Sequence, residues 1–237
     1  MRQDDFYLKK EANAFFDRWN TSEGKKYDGK LRESKKLILT QLEENISLSN
    51  KKVLEVGCFI GDLLAYLKKD YSCKVYGVEP SSKASNLCKK IFKLENVENT
   101  IFTKSKFFNL NNKFKNNFDL IILEDVLSWM PRESIIQVFA IIDWLLKTNG
   151  AIFFRDYSPN FSFAYENHHQ KKNNIYSFKQ SYGHRNFFLQ TGMYYEKYTK
   201  ITNLNLQKIK TLRPDSSIWA DSIIIKSSKP LHPVLEF

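Results

Sequence analysis

The sequence predicts an α/β fold: a Rossmann-like, doubly wound sheet with helices on both faces. Between residues 52 and 155, short β-rich runs alternate with helical stretches, and the first run ends in a turn that contains two glycines. Alternating strands and helices form parallel sheets with right-handed crossovers. Two later strand-like runs are joined by turn-forming residues, so we expect the mostly parallel sheet to end in a C-terminal antiparallel hairpin.

The spacing of apolar residues places each element. Two amphipathic helices, Asp5–Asn20 and Arg32–Ile46, precede the first strand. The core then alternates between strands and helices, at Lys52–Gly57, Asp62–Lys69, Lys74–Glu79, Ser81–Leu94, Thr100–Thr103, Phe118–Leu123, Arg132–Lys147 and Ala151–Arg155. The closing hairpin is predicted at Leu206–Leu212 and Trp219–Ser227.

Length and composition limit the class of protein. A chain of 237 residues suffices for one α/β domain with a lid, and we expect a helical cap at 1–50 and a core at 51–237. No run is apolar enough for a signal peptide or a membrane span. The three cysteines match no paired spacing, which indicates reduced thiols and a cytoplasmic protein.

The formal net charge of +11 has two interpretations. A positive field attracts anionic partners, of which nucleic acid is one. Alternatively, the lysines only coat a solvated surface. Charge therefore does not choose the partner.

The turn after the first strand and an acid after the second predict a nucleoside site. Gly57 and Gly61 let a ligand approach the backbone at the start of a helix, and Glu79 stands where an acid binds ribose hydroxyls. A plain tight turn in a domain without a cofactor is the alternative. A dinucleotide fits less well, because Phe59 stands where its pyrophosphate needs a third glycine.

Four segments in order resemble the class I S-adenosylmethionine-dependent methyltransferases. They are the first motif at Val53–Leu64, the second at Gly77–Pro80, the fourth-strand motif at Phe118–Met130 and the approach to strand five at Leu146–Ile152. Phe59 departs from the glycine pattern of the first motif. The resemblance implies an enzyme that uses S-adenosyl-L-methionine and releases S-adenosyl-L-homocysteine.

The resemblance also implies which residues bind the cofactor. Glu55, Glu124 and the backbone of the glycine turn would hold the methionine part, Glu79 the ribose and Pro80 the adenine. The full predicted set is Tyr27, Glu55, Gly57, Cys58, Phe59, Gly61, Glu79, Pro80, Ser105 and Glu124.

Two of these positions carry alternatives. Ser105 occupies the place where an acid often accepts the adenine amino group, which puts that contact in doubt. Tyr27 stands where the family often has a lid residue, but it could equally be a packing tyrosine.

The methyl acceptor is predicted to bind an aromatic insertion at about 157–200, which follows the carboxyl end of strand five. Its Asn167–His169 and Ile175–Lys179 segments resemble small bacterial methyltransferases that act on sugars or other metabolites. Phe154–Tyr157 resembles tRNA 3-methylcytidine methyltransferases, so RNA stays open. The predicted acceptor-binding residues are Tyr157, Tyr176, Lys179, Tyr182 and Arg185.

Methyl transfer from a sulfonium needs alignment and, for some acceptors, a general base. His168 or His169 is the candidate base, against the alternative that adjacent histidines are ordinary loop residues, and Asp156 is the other candidate. No metal is predicted, because no acid pair completes a ligand set around these histidines.

The sequence thus favours O-methylation of a small, anionic acceptor that is sugar-like or phosphorylated. Lys179 and Arg185 could clamp a phosphate. An RNA methyltransferase and a non-catalytic binding subunit with the same fold are the alternatives. The oligomeric state is not predicted.

Overall fold

The computed structural model describes residues 3–22, 29–167, 175–203 and 218–232. Its helices are α1 (Gln3–Phe6), α2 (Ala12–Ser22), α3 (Glu33–Asn45), α4 (Asp62–Asp70), α5 (Ser82–Phe92), α6 (Arg132–Leu145) and α7 (Arg185–Leu189), with a π-helical turn at Tyr7–Glu11 between α1 and α2. Short 3-10 turns lie at Phe102–Lys104 and Leu127–Trp129.

The strands are β1 (Lys52–Val56), β2 (Lys74–Val78), β3 (Val97–Glu98), β4 (Phe118–Glu124), β5 (Leu146–Tyr157), β6 (Phe163–Glu166), β7 (Tyr176–Lys179), β8 (Tyr194–Asn203) and β9 (Ile218–Lys226). One sheet has the order β3-β2-β1-β4-β5-β9-β8, and β6 pairs with β7 in a small second sheet. The pairs among β1 to β5 are parallel, whereas β9 runs antiparallel to both β5 and β8. The predicted fold class is confirmed.

The core has two layers, one on each face of the large sheet. Alternate residues of β1 point to opposite faces, so Leu54 joins a cluster with α6 and Val53 joins a cluster with α3 and α4. Both side chains are fully buried. The helices therefore cover both faces of the sheet, as the near-continuous apolar strands require.

One predicted strand position and one predicted strand pairing are wrong. The third strand is Val97–Glu98 rather than Thr100–Thr103, because the chain turns into a 3-10 helix that buries Phe102 in the core. The partner of β9 is Tyr194–Asn203, inside the predicted insertion. The predicted strand Leu206–Leu212 lies outside the described residues.

Candidate functional site

A cavity of about 760 Å³ lies at the carboxyl ends of β1, β2, β4 and β5. The strand order reverses between β1 and β4, and ligands of open α/β sheets bind at such a switch point. The helical segment 3–22, called the cap segment below, forms the opposite wall with Tyr7, Glu11, Phe15 and Trp19 among its lining residues.

The glycine turn and Glu79 form one connected structure. Gly57 and Gly61 have φ values of +74° and +76°, which glycine adopts at little cost. The Glu79 carboxylate accepts hydrogen bonds from the backbone N–H groups of Phe59, at 2.8 Å, and of Ser81, at 2.7 Å. Burial raises the pKa of Glu79 to about 7. The carboxylate is thus fixed at the cavity wall, with lone pairs left for further donors.

Phe59 connects the glycine turn to the cap segment. Its backbone is left-handed, with φ +51°. Its ring lies 4.9 Å from the ring of Trp19 and 5.7 Å from that of Phe15, centroid to centroid. The Arg32 guanidinium lies 5.0 Å from the same ring. The side chain that departs from the family pattern therefore serves as the contact point for the cap.

Polar contacts fix the cap segment at both ends. Ser81 Oγ donates to Asn13 Oδ1 at 2.8 Å, which joins α2 to the loop before α5. At the other end, Gln3 Nε2 donates to the backbone oxygens of Trp129, at 2.6 Å, and of Tyr176, at 2.9 Å. The cap segment therefore bridges the β2, β4 and β7 sides of the cavity.

A cluster of charged residues forms part of the cavity wall and extends behind it. Lys35 Nζ lies 2.5 Å from carboxylate oxygens of both Glu55 and Glu124. Arg155 pairs with Asp221 at 2.7 Å and with Glu124 at 3.3 Å. Burial raises the pKa of Glu55 to about 7, although Lys35 opposes this. For Glu124, Lys35 and Arg155 outweigh burial and hold the pKa below its usual range.

The sequence interpretation missed Lys35, although a signal was present. Lys35 shares the apolar face of α3 with Ile38 and Leu42, three and seven residues later. A lysine on such a face needs buried acids as partners, and the strand-end acids Glu55 and Glu124 were the available ones.

Another ion pair includes Asp125, the next residue along the chain after Glu124. Asp125 follows β4 with φ +47° and lines the cavity. Its Oδ1 lies 3.9 Å from Nζ of the buried Lys179. That Nζ also lies 3.3 Å from the ring centroid of Tyr157 and 5.6 Å from that of Trp129. Lys179 and Tyr157 thus stand behind the cavity wall, and Asp125 and Trp129 form part of it.

Asp156 joins the start of the insertion to the sheet. Its carboxylate accepts hydrogen bonds from Ser128 Oγ at 2.9 Å, from the Tyr157 backbone N–H at 2.8 Å, and from the ring and backbone of His184. Burial raises the pKa of Asp156, but His184 and Lys179 outweigh it and the pKa lies below its usual value. Asp156 is not among the described residues that line the cavity, and its role as a base stays a prediction.

The predicted cofactor residues divide into two groups. Within the described ranges, those that line the cavity are Gly57, Phe59, Glu79, Pro80 and Glu124. Those buried behind the wall are Glu55, Cys58, Gly61 and Ser105, and the Ser105 hydroxyl donates to the Phe102 carbonyl. Tyr27, His168 and His169 lie outside the described residues.

The predicted acceptor residues do not converge. Arg185 bonds to Glu196 at 3.1 Å and to the Tyr182 carbonyl at 2.7 Å, and Tyr182 is 56% exposed. Tyr176 is also exposed. Lys179 is buried, with Nζ 3.3 Å from the ring centroid of Tyr157. None of the five predicted acceptor residues is among the described residues that line the cavity, and their role stays a prediction.

A membrane-spanning helix and a metal-binding cluster are both absent from the described ranges. No helix there has the length and hydropathy to span a membrane. No three side chains of His, Cys, Asp or Glu come together there as a metal site.

A doubly wound sheet with a glycine turn after β1 and a fixed carboxylate after β2 defines a nucleoside-binding α/β protein. A family profile described as "Methyltransferase domain" matches residues 26–206, so the chain belongs to this family. It is a class I S-adenosylmethionine-dependent methyltransferase, with S-adenosyl-L-methionine as its cofactor.

Three known proteins illustrate the relationship. Phosphoethanolamine N-methyltransferase of Plasmodium falciparum (isolate 3D7) is 26% identical over 202 residues, which cover 84% of this chain and 68% of that protein. The 1,6-didemethyltoxoflavin-N1-methyltransferase of Burkholderia thailandensis, solved with 1,6-didemethyltoxoflavin and S-adenosylhomocysteine, has a TM-score of 0.60 at 12% identity, covering 96% of this chain and 92% of that one. The StiE O-methyltransferase has a TM-score of 0.55 at 16% identity, covering 81% and 74%.

Proposed function

We propose that this enzyme methylates a small polar metabolite held between the sheet and the cap segment. The observation that carries the proposal is the cavity of about 760 Å³, whose outer wall is the cap segment itself. Clefts of this size enclose a small ligand and most of its surface. Residues 3–22 thus act as a lid, and a base of folded RNA would have to displace it.

The lining residues fit an adenosyl cofactor that supplies an electrophilic methyl group. Glu79 would accept hydrogen bonds from the ribose hydroxyls, and Pro80 would contact the adenine. Glu124, held by Lys35, would bind the amino group of the methionine part. Glu55 reaches this end only through Lys35, so its effect on the cofactor is indirect.

The acceptor end is acidic and aromatic. Its lining includes Tyr7, Glu11, Asp125 and Trp129. The sequence predicts an anionic acceptor with a hydroxyl nucleophile, and the anionic group of such an acceptor would have to lie away from these carboxylates. A carboxylate such as Asp125 near the acceptor would serve O-methylation by taking the hydroxyl proton.

An amine is the second candidate nucleophile. Carboxylates beside aromatic rings bind ammonium groups through charge and cation–π attraction. Asp125 and Trp129 form such a pair at the cavity wall, and the relative at 26% identity is named as an N-methyltransferase. The same small-molecule site would serve either reaction.

The test is a screen for transfer of a labelled methyl group from S-adenosylmethionine. The acceptors are sugar phosphates, nucleotide sugars, phosphoethanolamine with other small amines, and bulk tRNA. We expect a small-molecule product, and none with Glu79→Ala. Methylated tRNA with steeply salt-dependent binding would favour the RNA alternative. Tight cofactor binding without any product would indicate a non-catalytic subunit.

A further inference from the structure

We propose that Lys179 is a positioning residue that holds Asp125 in its charged form, ready to take the proton that the methyl acceptor loses. This inference rests on the proposed function, because Asp125 faces the acceptor end of the cavity. It assigns the base to a residue outside the insertion that holds His168 and His169.

The position of Asp125 suits a proton acceptor. Its backbone N–H donates to the Arg155 carbonyl at 2.8 Å, which fixes the strand end, and its side chain lines the cavity. The nearby Trp129 indole lowers the pKa of the carboxyl group. Oδ1 is buried and has no hydrogen-bond partner among the described residues. Oδ1 faces Lys179, whereas the Asp125 side chain as a whole is 34% exposed, so its carboxylate is accessible to a ligand in the cavity.

Lys179 is held in an unusual environment for a charged group. Its Nζ is fully buried and has no hydrogen-bond partner within the described ranges. The rings of Tyr157, Trp129 and Tyr165 surround it at 3.3, 5.6 and 5.4 Å. Aromatic faces attract an ammonium but give it no acceptor for its protons. Asp125 at 3.9 Å is the charged partner that this arrangement provides.

Burial and the neighbouring charges bring the pKa values of Asp125 and Lys179 close to neutral pH. Burial raises the pKa of Asp125 to about 7, Lys179 opposes the rise, and Asp156 and Glu124 add to it. Burial lowers the pKa of Lys179 to about 8, against the attraction of Asp125 and Asp156. Tyr7, Tyr157 and Tyr165 also face Asp125 and stay protonated. Removal of the Lys179 charge would therefore leave Asp125 protonated at neutral pH.

The proton balance of the reaction requires such a group. An acceptor X–H uses a lone pair on X to bond the methyl carbon, while the electrons of the broken carbon–sulfur bond stay on sulfur. The proton of X–H then passes to the Asp125 carboxylate and later to solvent. Since a base works best with a pKa near the working pH, the paired Asp125 is suited to this role.

The first test measures the pKa values of Asp125 and Lys179 and needs no methyl acceptor. Protein labelled with carbon-13 at lysine Cε and at aspartate Cγ is titrated by NMR, and Lys179→Met and Asp125→Asn assign the two signals. We expect one lysine to titrate near pH 8, and the Asp125 midpoint to rise by about one pH unit or more in Lys179→Met. An Asp125 midpoint that is the same in wild type and in Lys179→Met would overturn the inference.

The second test uses the acceptor found in the screen. The acidic limb of the kcat–pH profile should move up by about one pH unit in Lys179→Met and stay near wild type in Lys179→Arg, while the cofactor Kd changes less than twofold. Lys197→Met, on exposed β8, is the control. An unmoved limb contradicts the inference. A screen without products would count against the proposed function and not against the Asp125–Lys179 pairing, because the NMR titration measures that pairing without an acceptor.

Discussion

At the scale of single residues, we expect cofactor binding to depend on the Glu79 carboxylate more than on the glycines. The backbone N–H groups of Phe59 and Ser81 hold both oxygens of its carboxylate, so the group keeps its direction without a ligand. Phe59 itself accepts a left-handed backbone to face the cap segment. The turn therefore contacts the cap segment on one side and holds the Glu79 carboxylate, the proposed ribose ligand, on the other.

Replacement of Glu79 by glutamine should weaken cofactor binding. The amide nitrogen would face the Phe59 or Ser81 N–H group, donor against donor, and the charge-assisted acceptor would be lost. We expect the S-adenosylmethionine Kd to rise at least about tenfold, as measured by calorimetry. Glu133→Gln, on the exposed first turn of α6, should leave it unchanged. Equal Kd values for both variants would contradict the role of Glu79.

At the scale of elements, the cap segment combines regular and irregular helix. The π-helical turn inserts one extra residue per turn and places both Tyr7 and Glu11 on the cavity wall. After the turn, α2 presents Phe16 and Trp19 to Phe59. The cap segment is thus attached to the glycine turn through aromatic contacts and contributes Tyr7 and Glu11 to the cavity wall.

Loss of the Trp19 ring should loosen the cap segment. An aromatic pair contributes about 0.5–1.5 kcal/mol beyond its buried area, so Trp19→Ala should speed amide exchange in residues 3–22 about tenfold. Hydrogen exchange followed by mass spectrometry measures this rate. Asn20→Ala, at an exposed neighbour, is the control. If exchange in the cap segment stays at the wild-type rate, the contact between the Trp19 and Phe59 rings does not hold this segment in place.

At the scale of the whole molecule, buried charges connect helix and sheet. Lys35 of α3 pairs with Glu55 of β1 and Glu124 of β4, and Arg155 of β5 continues the cluster to Asp221 of β9. Four strands and a helix therefore share one ionic network at the cavity wall and behind it. Breaking a buried ion pair on one side leaves an uncompensated charge, which is strongly destabilising.

Lys35→Met should lower the free energy of unfolding by about 3–5 kcal/mol, as measured by urea denaturation. The variant leaves Glu55 buried without its cation, so Glu55 takes up a proton on folding. The loss of stability therefore grows as the pH rises above the pKa of Glu55 in the unfolded chain. Lys36→Met, at a surface pair, should change stability by less than about 0.5 kcal/mol. Adding Glu55→Gln to Lys35→Met should restore part of the loss, and no recovery would contradict the pairing.

The same scale shows what the sequence could predict. Strand and helix alternation is a local periodic signal, and it placed β1, β2, β4 and the helices between them near their observed positions. The partner of β9 is decided by contacts across the sheet, so the pattern at 206–212 misled the hairpin prediction. The Asp125–Lys179 and Lys35 pairs join residues that only the fold brings together. Spacing along the chain carries no signal for such pairs.

The place of β9 in the sheet also bears on how the chain is made. β9 lies between β5 and β8 although it follows both in sequence. During synthesis β8 has no neighbour to pair with until residues 218–226 have left the ribosome, and the β5 edge stays open for the same time. Such late, non-local pairing is slow and exposes strand edges. The nascent chain is therefore most prone to aggregation, and most in need of a chaperone, in the interval just before its last described strand emerges.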